Sequence, residues 1–395
     1  MATDRRKDSK GRVLKDGECQ RKDGTYCYRW TDKCGKRRYI YSKDLKTLRE
    51  RKESLQKDID NNINFDNRKM TLNQLFDNFI EYKTNNIQDS TIKSYRSLWE
   101  NNVKNSIGNV KVCDLQPTLF EELYKKLDSR LSSGSISDIH NLLYTVLERA
   151  VKNQLIPYNP VALADKPIKR KPKKKNVISE QELKDLLVFC DNSTTYNIYR
   201  PLIEIAFYTC MRAGELAGLR WQDVNLHERY ISVNHQLKYE AYNGEPCKFH
   251  IRQTKTENAD RNIPISENTR KAFLNLKQMY FAIGRNCTAT IDGMTDFVFI
   301  TRQGTPFPIT SLDRIVYACV DAYNKENADN PLPHISMHCL RHSGCTHYAK
   351  MGMNPKTLQK IMGHSKISTT LDIYTTFDDE FTKNEFDNLM AAVND

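Results

Sequence analysis

Between Pro160 and Ser179 the chain sets Lys166, Lys169, Arg170, Lys171, Lys173, Lys174 and Lys175 around Pro167 and Pro172. Proline removes a backbone donor and clashes with the preceding turn, while the like charges repel, so this stretch suits neither a helix nor a core. It is expected to cross solvent as an extended basic linker, 166–178, which divides the chain into parts that bury their apolar surface separately. A length of 395 residues agrees, because single cores stop growing well below that size. We expect a multidomain protein, mainly α with small β-sheets.

Residues 1–66 carry 19 Lys and Arg against 12 Asp and Glu, which is +7 of a whole-chain charge of +12. Aromatic-rich runs at 24–30 and 32–42, broken by Asp16-Gly17 and Cys34-Gly35, predict a three-stranded antiparallel sheet, followed by a charged helix from about Asp44 to Asn61. Strand alternation sets Arg29, Lys36, Arg37 and Arg38 around a sheet face or turn, and a short basic sheet of this kind can enter a major groove. A solvated basic extension is the plainer alternative.

From Met70 the period becomes helical, with Leu72, Leu75, Phe76 and Phe79 on one stripe. Further helices are expected after Ser90, Pro117 and Gly134, making residues 67–165 a helical domain. Lys93 and Arg96 on its second helix are candidate phosphate contacts, or equally solvent charges. Ser179 and Glu182 form a capping-box pattern that opens a third domain, 179–395, of mixed α/β character. Helices should run to about Leu219, with Arg212 near the end of one. Beta-rich runs follow at 230–236, 248–253 and 261–265, with Lys255 in the turn between the last two. Helices are expected again over 338–350, 355–362 and 369–374.

The chemistry concentrates on six residues: Arg212, Lys255, His338, Arg341, His364 and Tyr374, spaced by 43, 83, 3, 23 and 10 positions. Arginine can clamp a phosphodiester through paired N–H groups, imidazole can share protons, and a phenol near a positive charge can attack phosphorus. The ordered set closely resembles the active-site signature of the tyrosine recombinases, the lambda-integrase family, over roughly residues 70–390. The small N-terminal domain is similar to the arm-binding domain of integrases from conjugative transposons. The resemblance implies that Arg212 and Arg341 grip the non-bridging phosphate oxygens, with His364 adding a hydrogen bond. It also implies His338 as proton acceptor for Tyr374, Lys255 as acid for the departing 5′ oxygen, Glu215 orienting its neighbours, and a 3′-phosphotyrosyl intermediate. One departure is Cys210, which stands where the family often has glycine and is expected to affect helix packing.

The resemblance further implies a helical core-binding domain over 67–165, which would close on DNA as a C-shaped clamp hinged at the linker. Its expected partners are double-stranded DNA at core and arm sites, other copies of the chain in a tetrameric synapse, and an excision factor. No P-loop and no acidic cluster at two-metal spacing is present, so neither cofactor nor metal is expected. The 11 cysteines include no Cys-x-x-Cys pair, and the spacing of Cys19, Cys27 and Cys34 suits strand residues better than a metal site. With no long apolar run, a bacterial cytoplasmic protein is expected, away from membranes. After Tyr374 the chain has six acidic residues, Lys383 as its one base, and an amphipathic pattern seeking a partner. A type IB topoisomerase and a non-catalytic architectural DNA-binding protein are the alternatives.

Overall fold

The computed structural model describes residues 6–31, 37–60, 70–84, 86–165, 176–241, 246–253 and 260–374, together with Lys383, Phe386 and Met390. The chain divides into two units, Met1–Pro172 and Lys173–Asp395. The basic stretch from Lys166 to Lys175, and with it the proposed contacts of Lys169, Arg170, Lys171, Lys173, Lys174 and Lys175, lies outside the described residues.

Three antiparallel strands open the first unit, β1 (Glu18–Gln20), β2 (Tyr26–Thr31) and β3 (Arg37–Ser42), in the order β1-β2-β3. Helix α1 (Leu45–Asp60) follows, started by the Asp44 carboxylate, which accepts from the N–H groups of Lys46 and Thr47. Tyr26, Leu45 and Leu48 form its small core. Because directly paired residues point to the same face, Arg29 opposite Tyr39 and Thr31 opposite Arg37 share the exposed side of the sheet with Tyr41. Arg38 pairs with Trp30 and therefore lies on the other face, apart from Arg29 and Arg37. Lys36 lies outside the described residues.

A bundle follows: α2 (Leu72–Thr84), α3 (Asp89–Asn102), α4 (Pro117–Asp128), α5 (Ser133–Lys152) and the short α6 (Pro160–Leu163). The period-3.6 apolar stripes meet as read from the sequence. Phe76 stacks on Trp99 at 4.0 Å, and the Trp99 indole N–H donates to Asn73 Oδ1 at 2.9 Å, so this buried ring is both packed and satisfied. Lys93 and Arg96 are exposed on α3.

The second unit opens with α7 (Glu180–Asn192), and the Ser179–Glu182 capping box is made in both directions, at 3.2 and 2.6 Å. Then come α8 (Arg200–Thr209), α9 (Ala213–Gly218), β4 (Val224–Asn225), β5 (Tyr230–Val233), β6 (His235–Glu240), β7 (Lys248–Gln253) and β8 (Arg261–Pro264). Strands β4, β5 and β8 form one sheet, and β6 and β7 a separate hairpin. The run expected at 230–236 is thus two strands, and Lys255 falls on a connection between different sheets, outside the described residues. Helices α10 (Glu267–Ala282), α11 (Ile309–Glu326), α12 (Met337–Lys350), α13 (Pro355–Met362) and α14 (Ile367–Tyr374) complete the unit. A large core spans α7 to α12. A second, small cluster of Cys210, Cys345, Ala349, Leu358, Met362 and Ile373 ties α12, α13 and α14 to the end of α8. Among the described residues, no helix is long and apolar enough to cross a membrane.

Candidate active site

Arg212 lies near a helix end, as its sequence context suggests, in the corner where α8 gives way to α9. Helix α8 stops at Thr209, Cys210 takes a left-handed conformation with φ of +52°, and Arg212 is the N-cap of α9. Glycine adopts that conformation without steric cost, so the departure at position 210 concerns backbone geometry as well as packing. Packing is also engaged: a Cβ added at Gly344 would stand 2.0 Å from the Phe207 carbonyl oxygen and 2.8 Å from Cys210 Sγ. Only glycine lets α12 cross α8 this closely, and the crossing sets Arg341 one turn earlier beneath Cys210.

Glu215, the third residue of α9, reaches back over the helix start. Its carboxylate accepts from the Arg212 backbone N–H at 2.8 Å and from Arg212 Nη1 at 2.7 Å. It also accepts from Arg261 Nη1 at 3.1 Å and Nη2 at 2.8 Å, and lies 3.9 Å from Arg341 Nη1. Glu215 is 3% exposed. Burial pushes its carboxyl up, but the hydrogen bonds and charge of Arg261, joined by Arg212, outweigh this and hold it down at about 2.

Arg341, on α12, is 4% exposed and donates from Nη1 to the Cys210 carbonyl and from Nη2 to the Met362 carbonyl, each at 2.6 Å. Burial first, and then the charge of Arg212, lowers its guanidinium to about 10. Arg212 keeps its side chain 41% exposed while Nη2 donates to the Gly363 carbonyl at 2.7 Å. Arg212, Arg261 and Arg341 thus surround a single carboxylate. Three cations against one anion leave a local excess of +2, which favours an arriving anion.

His364 follows the left-handed Gly363 that ends α13, and its Nδ1 lies 3.0 Å from the buried Thr370 Oγ1 on α14. That contact fixes the imidazole relative to the helix bearing Tyr374. Helix α14 begins at Ile367, two residues earlier than its sequence pattern suggested. Tyr374, its last residue, packs against the small cluster, and its O–H donates to the Met353 carbonyl. His338 is exposed on α12, three residues before Arg341, with its ring edge-on to that of His342 at 4.4 Å. The i,i+4 spacing of His338 and His342 on α12 brings the two rings together. Two other histidines are taken up inside the fold: His140 meets the Tyr124 hydroxyl at 3.0 Å, and His235 meets the Gly218 carbonyl at 2.7 Å.

The structure therefore brings Arg212, Glu215, Arg341 and His364 together through shared contacts and sets Tyr374 on the helix that His364 touches. Arg261 was not read from the sequence as a site residue. Its signal was weak: one basic residue opening a β-rich run, in a chain with 61 Lys and Arg.

Three family descriptions match the chain. "Phage integrase family" covers residues 176–380, "DNA binding domain of tn916 integrase" covers 2–59, and "Phage integrase, N-terminal SAM-like domain" covers 71–127. The transposases of transposon Tn916 from Enterococcus faecalis and of transposon Tn1545 from Streptococcus pneumoniae are each 31% identical, over 95% of this chain and 95% of theirs. A structure of the Tn1549 transposon integrase in complex with transposon right end DNA superposes with a TM-score of 0.72 at 26% identity, covering 81% of this chain and 100% of that one. A lambda integrase dimer bound to a COC′ core site shares the fold, with a TM-score of 0.58 at 15% identity over 77% of this chain and 95% of that one.

Proposed function

This chain belongs to the phage integrase family and is a tyrosine-type site-specific recombinase of a mobile element, and from that premise we propose how its residues do the work. Tyr374 is the nucleophile that attacks a DNA phosphodiester, forming a 3′-phosphotyrosyl bond and releasing a 5′-hydroxyl. The bond energy is retained in that linkage, so a 5′-hydroxyl from another duplex can reseal it without ATP. Arg212 and Arg341 bind the two non-bridging oxygens, where charge grows in the pentacoordinate transition state, and His364 adds a hydrogen bond. His338 takes the phenol proton, and Lys255 protonates the leaving 5′ oxygen.

The observation that carries this reading is the cationic excess around Glu215, which a phosphate would neutralise. The Tyr374 hydroxyl donates to the Met353 carbonyl, and this hydrogen bond has to be given up before the oxygen can attack phosphorus. We assign residues 1–66 to arm-site binding through the sheet face bearing Arg29 and Arg37, and 67–165 to core-site binding with Lys93 and Arg96. Residues 166–178 then join these to the catalytic domain, 179–395. Lys36 and the linker bases Lys169, Arg170, Lys171, Lys173, Lys174 and Lys175 supply further phosphate contacts, whereas Arg38, on the opposite sheet face, is left out of this set. Double-stranded DNA is the substrate, and the chain works as a homo-oligomer, four copies in the synapse, with an excision factor setting direction.

The test is a nicked attachment-site duplex incubated with the protein. The natural chain should give a covalent adduct, and Tyr374→Phe should bind the duplex yet give none. An adduct from the Phe variant would overturn the assignment of the nucleophile.

A further inference from the structure

We propose that Arg261 is a positioning residue for phosphate capture: it joins Glu215 to the C-terminal end of α13 and so sets the spacing of Arg212, Arg341 and His364. This rests on the reading of those three residues as the phosphate-binding groups. Arg261 opens β8, and its side chain is 1% exposed. It forks onto both Glu215 oxygens, at 3.1 and 2.8 Å, while its Nε donates to the Ile361 carbonyl at 2.6 Å. With Nε, Nη1 and Nη2 all donating to protein acceptors, it is placed to hold other groups rather than to meet a phosphate.

The carbonyls it shares explain its reach. Ile361, Met362 and Gly363 are consecutive, and each accepts from a different arginine: Arg261, Arg341 and Arg212 in turn. A helix C-terminus carries partial negative charge and orphan carbonyls, so three guanidinium groups there are both hydrogen-bonded and electrostatically favoured. The turn into His364 wraps Arg261 closely, since a Cβ on Gly363 would stand 3.0 Å from Arg261 Nη1. Arg261 thereby ties α9, β8 and α13 at one point. Lysine cannot replace it, because a single ammonium lacks the planar fork that reaches two carboxylate oxygens and a carbonyl.

The charged groups facing Glu215 are Arg212 at the start of α9, Arg261 from β8 and Arg341 from α12. The Cys210 thiol, pushed up by burial and so neutral, lies beside these arginines. Removing Arg261 lets burial raise the Glu215 carboxyl. It would then protonate as pH falls, and Arg212 would lose its anchor.

The full-length chain is assayed on the nicked attachment-site duplex for adduct formation at saturating DNA, for duplex affinity and for thermal melting. Arg261→Lys should fold and bind the duplex as the natural protein does, but form adduct ~100-fold more slowly, the loss expected for a displacement of about 1 Å. Arg261→Met should be as slow and should gain an acid limb additional to any in the pH profile of the natural protein. Glu215→Gln/Arg261→Met removes both charges, keeping the site testable if Arg261→Met alone does not fold. It should stay slow, without the additional acid limb. Adduct formation at the natural rate by Arg261→Lys or by the double variant would overturn the proposal, as would parallel loss of affinity and cleavage with no change in pH profile. Absence of adduct from the natural protein would instead remove the phosphate-binding reading on which the proposal stands.

Discussion

Glu215 is the residue on which three arginines converge, at 2.7 Å for Arg212, 2.8 Å for Arg261 and 3.9 Å for Arg341. Its carboxyl is held at about 2 against an ordinary 4.5: burial opposes this, and Arg261 and then Arg212 impose it. A depressed carboxyl contributes stability that is fully present above the unfolded value and is lost as pH falls toward the folded one. At neutral pH, Glu215→Gln leaves buried arginines without their counter-charge and should cost about 3–5 kcal/mol. The gap in melting temperature between natural protein and variant should narrow as pH drops from 4.5 toward 2; a constant gap would show that the carboxylate is not what the arginines need.

Among elements, the crossing of α12 over α8 decides where Arg341 sits. Gly344 permits it, and a methyl there would be driven into the Phe207 carbonyl at 2.0 Å. Gly344→Ala should therefore destabilise the second unit by about 1–3 kcal/mol through overpacking, visible in chemical denaturation. The surviving folded fraction should cleave poorly, because relief of the clash displaces Arg341 from the Cys210 and Met362 carbonyls. A variant of natural stability and rate would mean that the crossing does not set the site.

At the scale of the whole molecule, charge distribution makes the prediction. The net +12 should give DNA binding that weakens steeply with salt, and each linker base that touches a phosphate should lower the log–log slope by about 1 when changed to glutamine. Acidic positions beyond Tyr374 oppose DNA contact, and apolar Phe377, Phe381, Leu389 and Met390 lie among them. Deleting residues 380–395 should change multimer formation or the coordination of cleavage more than duplex affinity, as read by sedimentation of protein–DNA assemblies and by recombination yield. Unchanged assembly and recombination would reject a role for the tail in assembly.

The sequence by itself determined most of the elements and named most of the residues the proposed chemistry uses, though it ran β5 into β6 and passed over Arg261. Helical stripes such as Leu72, Leu75, Phe76 and Phe79, the Ser179–Glu182 cap and the order of Arg212, Arg341, His364 and Tyr374 are local patterns or identities, written within a few residues or visible as residue type. Tertiary structure alone decided what holds these residues in place. Arg212 meets the Gly363 carbonyl 151 positions away, Arg341 the Cys210 carbonyl 131 away, and Arg261 the Ile361 carbonyl 100 away. A backbone carbonyl occurs at every position and so leaves no signature in the sequence. Which one an arginine finds depends on helices crossing at a glycine and on a strand from another sheet reaching beneath the same helix end.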